Sequence, residues 1–203
     1  MEAKNGQLAW LMTAPSGDSE ESAWVSAAKT GDLSAFDALL VRHEALVLRT
    51  ALRLLGNRED AQDAAQEVFL RLFRHFDRFD GSRPLEPWLY RLTVNACRDA
   101  ARRRMRTAVT LSRVEASATR GTPGAADAGL RREERESFLQ RALHTLTERE
   151  RTAVVLRDLE ELPAREVAKA MNCFEVTVRT YLRRARLKMK RFYEAEKERS
   201  HDV

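Results

Sequence analysis

The sequence predicts an all-α protein of two small helical domains joined by a flexible linker, with a helix-turn-helix in the C-terminal domain. Three observations support this fold class. Apolar residues recur at helical spacings of three and four through nearly every patterned segment. Residues 106–129 are rich in Ala, Thr, Gly and Ser and contain few bulky side chains. Residues 163–190 contain two short helical patterns separated by a brief break, as in a helix-turn-helix.

The loss of periodicity between patterned segments defines the predicted domains. A segment rich in small and polar residues cannot bury enough apolar surface to offset its conformational entropy. We therefore expect a disordered lead, a first domain, a flexible linker, a second domain and a tail, which cover residues 1–19, 20–105, 106–133, 134–193 and 194–203.

The composition narrows the class of protein. The chain has 203 residues, a net charge of +5 and a pI near 9.5, which favour a polyanionic partner. Its two cysteines, Cys97 and Cys173, lack the spacing of a disulfide framework or a zinc site. The longest N-terminal apolar run, residues 8–12, is too short for a signal peptide or a membrane span. We expect a cytoplasmic protein without metal, cofactor or membrane insertion.

Three helices are predicted in the first domain. The first covers residues 33–54 and ends at Gly56, a residue that favours the left-handed conformation of a helix terminus. The second, residues 59–76, has an acidic first turn that suits the positive end of the helix dipole. The third covers residues 88–104 and is opened by Pro87.

The third helix follows a Gly-, Ser- and Pro-containing loop and carries a polar stripe of Arg91, Asn95, Arg98 and Arg102. Basic residues interleaved with aromatic residues suit single-stranded nucleic acid, where each stacked base contributes roughly 1–3 kcal/mol. The alternative for the aromatic residues at helical spacing is core packing, which we favour for Phe69, Phe73 and Phe76. The better stacking candidates are Phe79, Trp88 and Tyr90.

The second domain contains three local signals. Thr147 and Glu150 match a capping box at a helix start. Pro163 begins the first helix of the helix-turn-helix, and a break at residues 172–174 separates it from a second helix over residues 177–190. On that second helix an apolar stripe (Val178, Leu182, Ala185, Met189) and a cationic stripe (Arg179, Arg183, Arg186, Lys190) lie about 100° apart. This pattern is typical of a recognition helix, and a solvated basic face is the alternative.

Two blocks of this sequence resemble the extracytoplasmic-function sigma factors, which are promoter-specificity subunits of bacterial RNA polymerase. The first block comprises Gly31-Asp32, Ala35-Phe36, Asp60 to Leu70, Pro87 to Leu92 and Asn95. The second comprises Leu146-Thr147, Glu166-Val167-Ala168 and Thr177 to Arg186. Together the blocks cover most of the chain outside the lead and the linker, and their order is highly specific.

The resemblance implies three surfaces. Core RNA polymerase would dock on Asp60, Asp63, Gln66, Glu67, Phe69 and Leu70. The melted single strand of the promoter −10 element would contact Phe79, Asp80, Ser82, Arg83, Trp88, Tyr90, Arg91, Asn95, Arg98 and Arg102. The −35 duplex would contact Phe174, Thr177, Arg179, Thr180, Arg183, Arg184, Arg186 and Lys190. The resemblance also implies an anti-sigma factor as a partner, and a role in transcription initiation without enzymatic chemistry.

The sequence departs from the family pattern at the turn before the recognition helix. Asn172 and Val176 stand where the family usually has glycine, and Phe174 stands where a small capping residue is usual. Asparagine tolerates the left-handed conformation. Phe174 cannot cap a helix through its side chain, so either the helix starts elsewhere or Phe174 contacts DNA.

Two other classes of function remain open from the sequence. A helix-turn-helix repressor or response regulator could have a similar C-terminal domain, but it would need a sensor or ligand-binding domain upstream. A helical adaptor that binds only protein would leave both arginine stripes without a role. An enzyme is not favoured, because the four histidines are scattered and no Gly-rich phosphate loop occurs.

Overall fold

The computed structural model describes residues 17–111 and 127–199, which form α-helices and no strand. The helices are α1 Gly17–Lys29, α2 Leu33–Leu55, α3 Arg58–His75, α4 Glu86–Leu111, α5 Asp127–His144, α6 Glu148–Val154, α7 Ala164–Met171 and α8 Glu175–Arg199. A 3₁₀ turn, Phe76–Arg78, follows α3, and a π-helical turn, Val155–Leu159, follows α6. The prediction of an all-α fold is confirmed for these residues. None of the described helices is long and apolar enough to cross a membrane.

Helices α1 to α4, the N-terminal bundle, begin and end at residues whose chemistry favours a helix terminus. The carboxylate of Asp32 accepts hydrogen bonds from two amides in the first turn of α2, at 2.9 and 3.2 Å. Gly56 ends α2 in the left-handed conformation, with φ 79°, as predicted. The side chain of Asn57 then accepts the amide of Asp60 at 2.8 Å and starts α3. These caps fix the lengths of the two helices that carry the acidic surface described below.

The core of the N-terminal bundle lies between α2, α3 and α4. Leu39 and Val47 of α2, Val68 of α3 and Leu89 of α4 are completely buried, and Leu72 is nearly so. Each large apolar side chain stabilises the fold by roughly 1.5–3 kcal/mol when fully buried. The same buried cluster continues without a break into the helices that follow residue 127.

Helices α5 to α8, the C-terminal bundle, contain the helix-turn-helix. The capping box is confirmed, because Thr147 Oγ1 accepts the Glu150 amide at 3.4 Å and the Glu150 carboxylate accepts the Thr147 amide at 3.0 Å. Pro163 immediately precedes α7. Asn172 ends α7 in the left-handed conformation, with φ 50°, as its residue type allows.

Several elements differ from the sequence prediction. Helix α1 was not predicted, and it includes residues 17–19 of the expected disordered lead. Helix α4 runs to residue 111 and α5 begins at residue 127, so both extend into the predicted linker. The predictions for residues 1–16, 112–126 and 200–203 lie outside the described residues. The proposed domain boundaries stay predictions.

The two bundles pack against each other through α7 on α4 and through a buried carboxylate. The side chain of Glu160, just after the π-helical turn, is 2% exposed. It accepts hydrogen bonds from Arg49 at 2.9 Å, from Arg53 at 2.6 Å and from the hydroxyl of Tyr90 at 2.9 Å. Burial opposes ionisation, but the hydrogen bonds from Arg49 and Tyr90 and the positive charges of Arg49 and Arg53 outweigh it and lower the pKa of Glu160. We call this group of four side chains the Glu160 cluster.

A second contact between the bundles involves the ends of helices. The guanidinium of Arg151 donates to the carbonyl oxygen of Leu54 in α2 at 2.8 Å. It also donates to the carbonyls of Leu143 at 2.9 Å and Leu146 at 3.3 Å. These carbonyls lie at or just after helix ends, where no intrahelical donor is available. Arg151 therefore caps the C-terminal ends of α2 in one bundle and α5 in the other.

Candidate nucleic-acid interface

The outward face of α8 presents the first candidate surface. Val178, Leu182 and Ala185 are buried and hold the helix on the bundle. The opposite stripe, at spacings of four, three and four, consists of Val176, Thr180, Arg183 and Leu187. All four residues on this stripe are exposed. The helix therefore presents a mixed polar and apolar face to solvent.

The cationic residues of α8 divide into two groups. Arg186 forms two hydrogen bonds with Asp158, at 2.8 and 3.2 Å, and this carboxylate raises the pKa of Arg186. Arg179 and Lys190 lie 3.9 and 3.7 Å from glutamates on the same helix. Among the residues that the structure describes, Arg183 and Arg184 form no salt bridge, and both are exposed. These two guanidinium groups are available for an anionic or base-edge partner.

The turn before α8 places its apolar residues in solvent. The side chain of Phe174 is 81% exposed, and only its carbonyl takes part in the helix start, accepting the amides of Thr177 and Val178. Helix α8 begins at Glu175, directly after Phe174. Thr177 is half-buried, whereas Thr180 is exposed and donates its hydroxyl to the Val176 carbonyl at 3.0 Å.

The second candidate surface follows α4 and the loop before it. Trp88, Arg91, Asn95, Arg98 and Arg102 recur at spacings of three and four and lie on one face of the helix. Arg91 and Arg102 are exposed, and Asn95 is half-buried. Arg98 forms a salt bridge with Glu148 of α6 at 3.1 Å, so one arginine of this stripe is bound to the C-terminal bundle.

The aromatic residues near α4 have different environments. Phe79 is 7% exposed and stacks on Trp88, with ring centroids 5.2 Å apart and planes 1° from parallel. Tyr90 is buried, and burial together with the adjacent Glu160 raises its pKa. Of the three residues expected in the core, Phe76 is buried and Phe69 is half-buried. Phe73 is 57% exposed, in edge contact with the ring of Phe36.

The loop before α4 is held in shape by Asp80. Its carboxylate accepts the amide of Ser82 at 3.1 Å and the Ser82 hydroxyl at 2.7 Å. These hydrogen bonds lower the pKa of Asp80, and Arg83 forms a salt bridge with it at 3.1 Å. A side chain that bonds the backbone two residues later fixes the loop conformation locally. The hydrogen bonds of Asp80 therefore preorganise the loop locally, before any ligand binds.

A cleft of about 660 Å³ separates this loop and α4 from α7. Five cationic side chains and two carboxylates line it. The lining residues are Arg78, Phe79, Asp80, Arg83, Pro84, Pro87, Trp88, Arg91, Pro163, Arg165, Glu166, Lys169 and Ala170. The cleft brings together five of the ten predicted −10 residues, and α7 covers them from the other side.

An acidic groove of about 380 Å³ lies between α2 and α3, on another face of the N-terminal bundle. Its lining includes the predicted residues Asp63, Gln66 and Phe69. It also includes Glu44 and Leu48 of α2, which the sequence interpretation missed because no local pattern relates α2 to α3. Leu70 is 49% exposed.

The remaining two predicted polymerase-contact residues join α3 to α4. Asp60 forms a salt bridge with Arg104 at 3.3 Å. Glu67 binds Arg71 at 2.7 Å, and Arg71 in turn binds Asp99 of α4 at 3.0 Å. The carboxylates of Asp60 and Glu67 therefore bind arginines within the bundle. The side chains of Asp63 and Gln66, in contrast, are exposed to solvent.

Comparison with known protein families assigns both halves of the chain. Residues 39–107 match the model of Sigma-70 region 2, and residues 139–189 match that of Sigma-70, region 4. These ranges contain the acidic groove, the α4 stripe and the helix-turn-helix.

The chain is similar to curated sigma factors over most of its length. It is 30% identical over 169 residues to RNA polymerase sigma-H factor of Pseudomonas aeruginosa, which covers 80% of this chain and 88% of the relative. The identity and coverage are the same for the ECF RNA polymerase sigma-E factor of Escherichia coli K12. Among solved structures, the sigma factor RpoE in complex with the anti-sigma factor NepR from Bartonella quintana matches with a TM-score of 0.64. That match has 20% identity and covers 78% of this chain and 96% of RpoE, and it supports the fold.

Proposed function

The chain belongs to the extracytoplasmic-function sigma factors of RNA polymerase, and we propose that its two bundles divide promoter recognition between them. Sigma factors are initiation factors and not enzymes, which agrees with the sequence interpretation. The match of residues 39–107 to region 2 also removes the alternative of a repressor with an upstream sensor domain. The details of binding that follow are proposals.

Helix α8 reads the −35 element in the major groove. The observation that carries this assignment is the pair of exposed guanidinium groups of Arg183 and Arg184, whereas Arg186 is held by Asp158. An arginine can donate two hydrogen bonds to the O6 and N7 atoms of guanine, which contributes roughly 1–3 kcal/mol of discrimination. Arg179 and Lys190 contact phosphates, which position the helix without specifying sequence, and Arg186 can join them by exchanging the Asp158 carboxylate for a phosphate.

The Asp80 loop and the α4 stripe bind the −10 element after its strands separate. A fixed polar loop beside the stacked rings of Phe79 and Trp88 can hold a base that has left the duplex. Arg91 and Arg102 provide exposed positive charge along the path of the strand. Because α7 covers one side of this surface, the two bundles must separate before it can bind DNA.

The acidic groove between α2 and α3 docks on core RNA polymerase. Glu44, Glu59 and Asp63 give the groove negative charge, while Leu48 and Phe69 give it an apolar floor. Such a surface fits a basic, amphipathic helix of the partner. Asp60 and Glu67 support the groove from within the bundle through their salt bridges.

We also propose an anti-sigma factor as a partner and the cytoplasm as the location, where RNA polymerase acts. The anti-sigma proposal is supported by the resemblance of the fold to RpoE, a sigma factor whose structure was solved with its anti-sigma factor.

Run-off transcription with purified core polymerase tests the assignment. Promoter-specific product should depend on this chain, and Arg184→Ala should lower product from −35-dependent templates by about 5- to 150-fold. Arg135→Ala removes an exposed arginine of α5, outside the proposed surface, and should leave transcription unchanged. The affinity for core polymerase, measured by fluorescence anisotropy, should be equal for the wild-type chain, Arg184→Ala and Arg135→Ala. Loss of core binding in Arg184→Ala would contradict the assignment of α8 to DNA.

A further inference from the structure

The outward stripe of α8 contains exposed apolar side chains beside its polar ones. Val176 is 67% exposed and Leu187 is 53% exposed, and Thr180 and Arg183 lie between them on the same stripe. Phe174, directly before the helix, is 81% exposed. Isolated exposed apolar residues are ordinary on protein surfaces, but here they continue a face assigned to DNA contact.

Packing within the described residues does not account for Val176. The buried stripe of α8 points in the opposite direction, and Val176 contributes only its carbonyl, which accepts the Thr180 hydroxyl at 3.0 Å. Valine is also a weaker helix former than alanine or a charged residue, so helix propensity does not favour it at this exposed position. Within residues 17–111 and 127–199, the Val176 side chain is therefore mostly exposed to solvent and has no role in packing that explains it.

The position of Val176 in the helix-turn-helix indicates a partner. It lies in the first turn of α8, and the N-terminal residues of a recognition helix contact base edges in the major groove. Its side chain has no hydrogen-bond donor or acceptor. Among the four bases, only thymine presents a methyl group in the major groove, and apolar side chains recognise it by contact.

We infer that Val176 contacts the 5-methyl group of a thymine in the −35 element and so makes promoter selection depend on that methyl group. This inference rests on the proposed role of α8 at the −35 element. It adds an apolar determinant, at a position outside the arginine set, to the hydrogen bonds that Arg183 and Arg184 donate. The same polymerase complex would then read guanine edges and a thymine methyl from one helical face.

The test uses holoenzyme reconstituted from the full chain and a promoter selected from genomic DNA by that holoenzyme. Each thymine of the −35 element is replaced in turn by deoxyuridine, which removes only the methyl group and keeps every hydrogen-bonding atom. One replacement should weaken wild-type promoter binding roughly three- to fivefold, the effect of exposing one buried methyl group. Val176→Ala should weaken binding to the thymine promoter by a similar factor and be insensitive to that replacement.

Controls separate this inference from the proposed function. Val41→Ala, which alters an exposed valine of α2, should keep the wild-type sensitivity to deoxyuridine. Val176→Thr retains one methyl group and should keep part of the sensitivity, which guards against a folding defect in the alanine variant. The inference is overturned if the selected −35 element contains no thymine, or if the deoxyuridine effect persists in Val176→Ala. In either case a defect of Arg184→Ala would still support −35 recognition by α8.

Discussion

Replacing Glu160 by glutamine should weaken the docking of the C-terminal bundle on the N-terminal bundle. The carboxylate is almost fully buried and accepts hydrogen bonds from two arginines and a tyrosine across the contact between the bundles. A hydrogen bond to a charged group contributes about 1.5–3 kcal/mol. Arg49 is 49% exposed and can be rehydrated, so the contributions do not add in full. We expect a loss of about 2–3 kcal/mol, which lowers the docking equilibrium constant about 30- to 150-fold.

The assay is energy transfer between fluorophores on the two bundles. Cysteines replace Val41 on α2 and Leu187 on α8, which are both exposed, in a Cys173→Ser background in which Cys97 is buried. Transfer should fall in Glu160→Gln while helical content, measured by circular dichroism, stays constant. Glu161→Gln provides the matched control, because it removes the same charge one residue later from an exposed side chain. Equal transfer in wild type and Glu160→Gln, or an equal loss in Glu161→Gln, would refute the role of the Glu160 cluster.

The remaining predictions use the pH and two helix ends. Docking holds the pKa of Glu160 below its ordinary value. The stabilisation of the docked state is therefore fully present above the ordinary pKa of glutamate, about 4.3, and is lost as pH falls through the lower docked value. Energy transfer measured between pH 7 and pH 3 should show this loss, and Glu160→Gln should flatten the curve. Gly56→Ala should lower the free energy of unfolding in urea by about 2 kcal/mol, because φ is 79° and the new Cβ would overlap the imidazole of His144. Adding His144→Ala should relieve the overlap but not the backbone strain, so full recovery would show that strain is absent. Thr147→Ala should cost about 1 kcal/mol in the same measurement, whereas Thr147→Ser should cost less, because serine keeps the capping oxygen.

The sequence predicted the elements whose signals are local. Gly56, the Thr147–Glu150 capping box and Asn172 each act through their own backbone or that of residues within four positions. Such signals are visible in a linear chain because residue type and spacing are sufficient to cause them. The helix-turn-helix was predicted for the same reason.

Helix α1 and the contact between the bundles could not be predicted because their stabilising contacts are distant in sequence. The buried carboxylate of Glu21 in α1 binds Arg42 at 3.0 Å and lies 3.5 Å from His43, partners about twenty positions away. Glu160 and Arg49 are separated by 111 positions. Tyr90 has an aromatic ring that could stack on a base, but its hydroxyl donates a hydrogen bond to Glu160, and only the tertiary structure shows this.

The π-helical turn at residues 155–159 makes this contact sensitive to chain length. The amide of Glu160 donates to the carbonyl of Val155, five residues earlier, at 2.9 Å, so the turn contains one more residue than an α-helical turn. Deleting any one residue of the turn would favour an ordinary α-helical turn and rotate Glu160 by roughly 100° relative to α6. Every side chain of the Glu160 cluster would still be present, but the carboxylate would face away from Arg49 and Arg53. A relative that keeps these four residues and lacks one position in this turn would therefore hold its bundles differently.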